Sequence, residues 1–279
     1  MIKRIISRLD IKNNFLVKGI NLEGLRVLGS PEEFAKKYYL ENIDELIFQD
    51  VVASLYKRNQ LSNLTKKISE DIFIPITVGG GIRTIEDIRI ALSNGADRVA
   101  INSAAVENPS FIYKAVEQFG SSTISLSIEA LKTENSYNIF TESGRKETNI
   151  DLFDWVKKAQ EFRFGELIIT SIKAEGRAKG LDIDLYKKLS EFNSIPILAH
   201  GGSASQNDIL NLFNNTNVQG VVICSAFHFN YVNEINKNIK IKNSGSTSFI
   251  NNLSDYKKYK TSISQLKNFL TQNNIKIRP

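Results

Sequence analysis

A single cysteine, Cys224, occurs in 279 residues, and there are only two histidines, His200 and His228. One cysteine excludes an internal disulfide framework and makes a reducing cytoplasm the expected location. Two histidines and a cysteine on separate predicted strands give no metal-site spacing, so no metal is expected. Long apolar runs are missing as well. Residues Met1 to Lys12 are broken by Arg4, Arg8 and Asp10. They read as neither a signal peptide nor a spanning helix, and no membrane association is expected. The net charge of +6 raises the question of nucleic acid. The lysines, among them Lys237, Lys240, Lys242, Lys257, Lys258 and Lys260, are scattered through an Asn/Lys-rich C-terminal quarter without an aromatic-stacking or zinc pattern. A solvated face is the better reading, and nucleic acid is not an expected partner.

What is present is a globular composition, 42% hydrophobic and 24% charged, with an internal repeat. Ile74 to Ile82 (IPITVGGGI) is echoed by Ile195 to Ser203 (IPILAHGGS), each a short buried strand entering a glycine turn. Gly95 to Ala104 is echoed by Val218 to Ala226, Glu45-Leu46-Ile47 by Glu166-Leu167-Ile168, and Ile5 to Asp10 by Ile124 to Glu129. Two copies of a four-strand half make eight strands. Those expected are Arg4 to Asp10, Asp44 to Asp50, Ile74 to Val78, Arg98 to Ile101, Thr123 to Glu129, Glu166 to Ser171, Pro196 to His200 and Gly220 to Ile223. Phe15 to Val17 has the look of a strand pairing back as a small hairpin. Helices are expected from Pro31 and over Leu61 to Glu70, Asn149 to Phe162, Asp184 to Glu191, Gln206 to Phe213 and Ile263 to Leu270, with another opening at Thr84 to Asp87. Strict alternation predicts an α/β fold, a single-domain (β/α)8 TIM barrel of two half-barrel repeats. Asn230 to Thr261, rich in Asn, Lys and Ser, reads as a polar insertion between strand eight and the last helix.

Barrel chemistry sits at the carboxyl ends of the strands. The candidates there are Asp10, Asp50, Gly80 and Gly81, Asn102 and Ser103, Glu129, Ser171, His200, Gly201 and Gly202, and Cys224 and Ser225. Strands one and five face each other, so Asp10 and Glu129 would oppose one another as general acid and base. Gly80-Gly81 with Asn102-Ser103, and Gly201-Gly202 with Cys224-Ser225, place bare N–H groups beside short polar side chains, which is anion chemistry. A pair of such sites implies a substrate phosphorylated at both ends. His200 either contacts the ligand or is satisfied by a backbone carbonyl, His228 is read as structural, and Cys224 as a small packing residue. At the opposite end Arg4, Glu45, Arg98 and Glu166, alternating in sign, either close a salt-bridged gate around the axis or point to solvent.

The runs Lys3 to Asp10, Val17 to Gly19, Glu23 to Arg26, Asp44 to Asp50, Thr77 to Arg83, Ile101 to Pro109 and Phe227 to Phe229 resemble the cyclase subunit of imidazole glycerol phosphate synthase, the HisF family. The resemblance implies a barrel that takes ammonia from a separate HisH-type glutaminase docked at the strands' amino end. It implies an ammonia gate at Arg4, Glu45, Arg98 and Glu166, catalytic roles for Asp10 and Lys18, and no organic cofactor. The substrate implied is a bis-phosphorylated aminoimidazole carboxamide ribonucleotide, converted to imidazole glycerol phosphate and the aminoimidazole carboxamide ribotide. The departures are Glu129 for the second aspartate, Glu175 in the loop after strand six, Arg8 for a cysteine, His200 for a serine, and the insertion. They leave two other readings open: a paralog that delivers ammonia for amidino-sugar synthesis, and a non-catalytic scaffold that activates its glutaminase.

Overall fold

The computed structural model describes residues 1–53, 61–203, 205–238 and 261–278. The first half of the chain contributes β1 (Arg4–Lys12), β2 (Phe15–Ile20), β3 (Glu23–Gly29), β4 (Glu45–Asp50), β5 (Ile76–Gly79) and β6 (Arg98–Ile101). The second contributes β7 (Ile124–Lys132), β8 (Tyr137–Thr141), β9 (Lys146–Asp151), β10 (Glu166–Ser171), β11 (Ile197–His200) and β12 (Gly220–Ile223). β1, β4, β5, β6, β7, β10, β11 and β12 pair in parallel in that order, and β12 returns to β1, so the sheet closes.

Alternation is not strict. β2 pairs antiparallel with β1 and β3 with β2, and β8 and β9 hang from β7 in the same way. Each half therefore carries one hairpin in the same place, and the second was not expected from the sequence. Its last strand takes Asn149 to Asp151, so the helix expected from Asn149 begins instead at Leu152, capped by the Asp151 carboxylate on the amides of Phe153 and Asp154. The other helices start where local chemistry directs. Thr84 with Asp87 and Ser205 with Asp208 form capping boxes just after the two glycine turns, so the repeat extends to the caps. Of the expected insertion, Asn230 to Asn238 continues the helix Ser225–Asn238, and residues 239–260 lie outside the described residues.

Two apolar layers follow from the period of a strand. Ile5, Leu9, Leu46, Phe48, Leu167 and Ile169 face the helices, while Ile6, Ile47, Ala100, Ile168, Leu198 and Val222 fill the barrel. That inner set fixes the phase of every strand. On β1 it turns Arg4, Ile6, Arg8 and Asp10 toward the axis, and on β4 it turns Glu45, Ile47 and Gln49 there. No helix among the described residues is long and apolar enough to cross a membrane.

Candidate active site

At the carboxyl end of β1 the Asp10 carboxylate is buried. Arg8 Nε donates to its Oδ1 at 2.7 Å, and Lys18 Nζ lies 3.8 Å from Oδ2. Lys18 comes from the first hairpin and also pairs with Glu175. Burial alone would raise the Asp10 pKa, but Arg8 and Lys18 outweigh it and hold the group below its ordinary value. Across the barrel, Glu129 on β7 is also buried, and its Oε2 accepts from Asn102 Nδ2 at 3.0 Å and from the Gly144 amide at 2.9 Å. Burial dominates there and pushes Glu129 to about 7, with the neighbouring Asp10 charge adding to the rise. The two carboxyls thus differ in proton affinity: charge partners hold one low, and burial raises the other to about 7.

Two cavities flank them. One of about 450 Å³ is lined by Gly80, Gly81, Asn102 and Ser103 together with Gln49, Arg83, Ser127, Glu129 and Ser143. The other, of about 290 Å³, is lined by Gly201, Gly202, Cys224 and Ser225 together with Glu175, Gly176, His200 and Ser203. Each is at or below the small end of ligand pockets, so each suits one end of a longer ligand. The glycine turns are obligatory as glycine. Gly80 has φ +90, and a Cβ there would stand 2.3 Å from Asp50 O; Gly202 has φ +94, with Gly180 O at 2.2 Å. Gly202→Ala is expected to lose roughly 1–3 kcal/mol in denaturant unfolding. Gly24→Ala, at φ +63 but with nothing within 4 Å, is the control; an equal loss there would mean that the close approach to Gly180 contributes nothing.

Several expected roles shift. Asp50 stands on the outward phase of β4, where its Oδ1 accepts from the Val52 amide at 3.0 Å, and Gln49 lines the cavity in its stead. Ser171 is likewise outward, with its hydroxyl 3.4 Å from Asp182, and Thr170 takes the inward position. The phase was available from the sequence, since Glu45 and Glu166 at the axis imply Gln49 and Thr170 by period two. Asn102, which lines the first cavity, directs its side-chain amide to Glu129. Ser103 Oγ accepts from the Glu142 amide of the second hairpin at 3.2 Å, so that hairpin roofs the first cavity. Glu175 latches the first hairpin through Lys18 and the Leu22 amide, the latter at 3.1 Å.

His200 is buried, with Nδ1 2.9 Å from Thr170 Oγ1 and Nε2 3.2 Å from Cys224 Sγ, so side chains and not a backbone carbonyl satisfy it. Burial, then the positive charges of Arg8 and Lys18, press its pKa well below the ordinary value, and the ring is neutral. Burial likewise pushes the Cys224 thiol up to about 12, which leaves it protonated and no nucleophile. His228 stacks on Tyr38, whose hydroxyl is 2.6 Å from Nδ1, and burial lowers it to about 3.

At the amino end, Arg4 Nη1 meets Glu45 at 3.0 Å, Arg4 Nη2 pairs with Glu166, and Arg98 Nη1 meets Glu45 at 3.1 Å. The four charges form an open chain, Arg98–Glu45–Arg4–Glu166, and not a closed ring. Arg98 turns its Nε to Ser122 O at 3.2 Å instead of to Glu166. Glu166 is shifted upward, by burial first, against the pull of Arg4.

The sequence model of the family described as "Histidine biosynthesis protein" matches residues 4–233. Curated relatives carry the name imidazole glycerol phosphate synthase subunit HisF. That of Legionella pneumophila is 50% identical over 200 residues, which span 71% of this chain and 94% of the relative. That of Natranaerobius thermophilus is 41% identical over 227 residues, 81% and 90% of the two chains, and that of Petrotoga mobilis is 40% identical over 245 residues, 87% and 97%.

Proposed function

We infer the activity from one premise: the chain belongs to the histidine biosynthesis protein family, with the HisF subunits of imidazole glycerol phosphate synthase. It acts as the cyclase subunit. Ammonia and a bis-phosphorylated aminoimidazole carboxamide ribonucleotide give imidazole glycerol phosphate and the aminoimidazole carboxamide ribotide. The observation that carries the site assignment is the pair of opposed buried carboxyls with unlike proton affinity between two glycine-lined cavities.

The chemistry follows from that asymmetry. Ammonia adding to a carbon centre must lose a proton, and Asp10, kept ionised by Arg8, is the base. An oxygen must leave carrying protons, and Glu129 is the acid, since near pH 7 a large fraction of it is protonated. Lys18 on the first hairpin stands beside the ionised Asp10 and is held there by Glu175. The cavity at Gly80, Gly81 and Ser103 takes one phosphate through backbone N–H groups, and the cavity at Gly201, Gly202 and Ser225 takes the other. Turnover of the ribonucleotide by the isolated subunit with ammonium salts tests the assignment. No product at any ammonium concentration would leave the amidino-sugar and scaffold readings.

The partner is a HisH-type glutaminase, seated at the amino end of the barrel. Support comes from exposed apolar side chains that precede β1, β4 and β5 in the chain, Ile2, Leu40 and Phe73, the last 78% exposed. A cytoplasmic location goes with this reading. If Arg4, Glu45, Arg98 and Glu166 gate ammonia, Arg98→Ala lowers turnover driven by glutamine about tenfold or more while turnover driven by ammonium is nearly unchanged. Equal losses in both assays would remove the gate.

A further inference from the structure

Arg8 holds Asp10 through its Nε, but its Nη2 group serves neither the gate nor the acid–base pair. Ascending β1 on its inward phase, the side chains are Arg4 at the gate, Ile6 in the apolar layer, Arg8, and then Asp10 at the mouth. Arg8 is 2% exposed. Its Nε is bound to Asp10, but Nη2 is buried with no hydrogen-bond partner among the described residues. An unmet charged donor in a dry interior is costly, and the bonds recorded around it go to other donors. Glu129 Oε2 receives Asn102 and Gly144. The ring nitrogens of His200 are matched to Thr170 and Cys224, and Glu175 is matched to Lys18 and Leu22. The donor therefore awaits an acceptor from outside the protein. It stands above the apolar layer and beside the base, where a nucleophile rising along the axis first meets a ligand held between the two cavities.

We propose that Arg8 is a catalytic residue of this chain, its Nη2 group donating to the oxygen of the substrate carbonyl that ammonia attacks. The inference rests on the cyclase reading. In the step, the ammonia lone pair forms the C–N bond and the carbonyl π pair moves onto oxygen, where Arg8 stabilises the developing negative charge. Asp10 takes a proton from nitrogen, Glu129 gives one to the oxygen, and after a second proton reaches it from nitrogen through Asp10 the oxygen departs as water, leaving a C=N bond. This assigns Arg8 the part of an oxyanion donor, aligned by its own bond to the base.

The test is steady-state turnover of the ribonucleotide with ammonium by the full chain and by Arg8→Ala, Arg8→Cys and Arg8→Lys. Arg8→Ala and Arg8→Cys are expected to lower kcat about 10²–10³-fold, as removal of one oxyanion donor does, with KM little changed. Added guanidinium ion is expected to restore part of the Arg8→Ala rate saturably. Arg8→Lys keeps the charge beside Asp10 and so is the variant best placed to fold. It is expected to remain at least about tenfold slow, because one ammonium group does not serve Asp10 and the carbonyl oxygen in the forked geometry of a guanidinium. Wild-type kcat in Arg8→Lys, or in a folded Arg8→Cys, would overturn the proposal while leaving the cyclase reading intact. No turnover by the original protein would overturn both.

Discussion

Asp10→Asn is expected to lower ammonium-dependent turnover about 10²–10⁴-fold, the usual span for loss of a positioned general base. Asn keeps the shape and removes the charge, so Arg8 and Lys18 lose the anion that pairs with them in a fully buried place. The same variant is therefore expected to lose roughly 3–5 kcal/mol of stability, as breaking one side of a buried ion pair does. The sign of the pH dependence follows from the Asp10 shift. Its pKa is depressed in the folded state, so its contribution is complete at neutral pH and is lost only as pH falls through the lowered value. Turnover by a folded Asp10→Asn within about threefold of the original would mean that the base is elsewhere.

Glu129→Gln carries the second large effect, and pH separates its two consequences. Glu129 is raised to about 7 by burial, so as the acid it is fully competent below that pH and fades above it. The original protein should show kcat falling as pH rises through about 7, and Glu129→Gln should be slow, by about 10²–10⁴-fold, with that limb gone. Stability moves the other way. A carboxyl whose folded pKa exceeds its unfolded value costs nothing below the unfolded pKa and progressively more up to the folded one. Gln has no charge to bury and can still accept from Asn102 and Gly144. Glu129→Gln is therefore expected to match the original near pH 4 and to be more stable at pH 8, by up to roughly 3 kcal/mol. Parallel melting curves at the two pH values would show that Glu129 is not desolvated in the way its surroundings require.

Much of the site was legible because it is local or repeated. The glycine turns, the capping boxes behind them, the carboxylates near the ends of β1 and β7 and the glutamates opening β4 and β10 are each written in a few consecutive residues, twice over; Arg4 and Arg98 at the openings of β1 and β6 are local but occur once. Asp50 and Ser171 differ from expectation in phase: the apolar layer inside the barrel turns them outward and Gln49 and Thr170 inward. The hairpin β8–β9 was hidden because its segment, Tyr137 to Asp151, alternates weakly and runs straight into a helix. Its signal lay in the first-half hairpin, which the repeat carries over.

The chain by itself determined that two similar halves would close into one parallel barrel, because strand period, helix caps and glycine turns act over a few neighbouring residues. Tertiary structure alone decided that Asn102 serves Glu129, that Glu175 holds Lys18, that the proton affinity of Asp10 is lowered while that of Glu129 is raised, and that one Arg8 donor stays unmatched. Those outcomes depend on desolvation and on partners brought from distant strands, and neither is encoded in any short stretch of sequence.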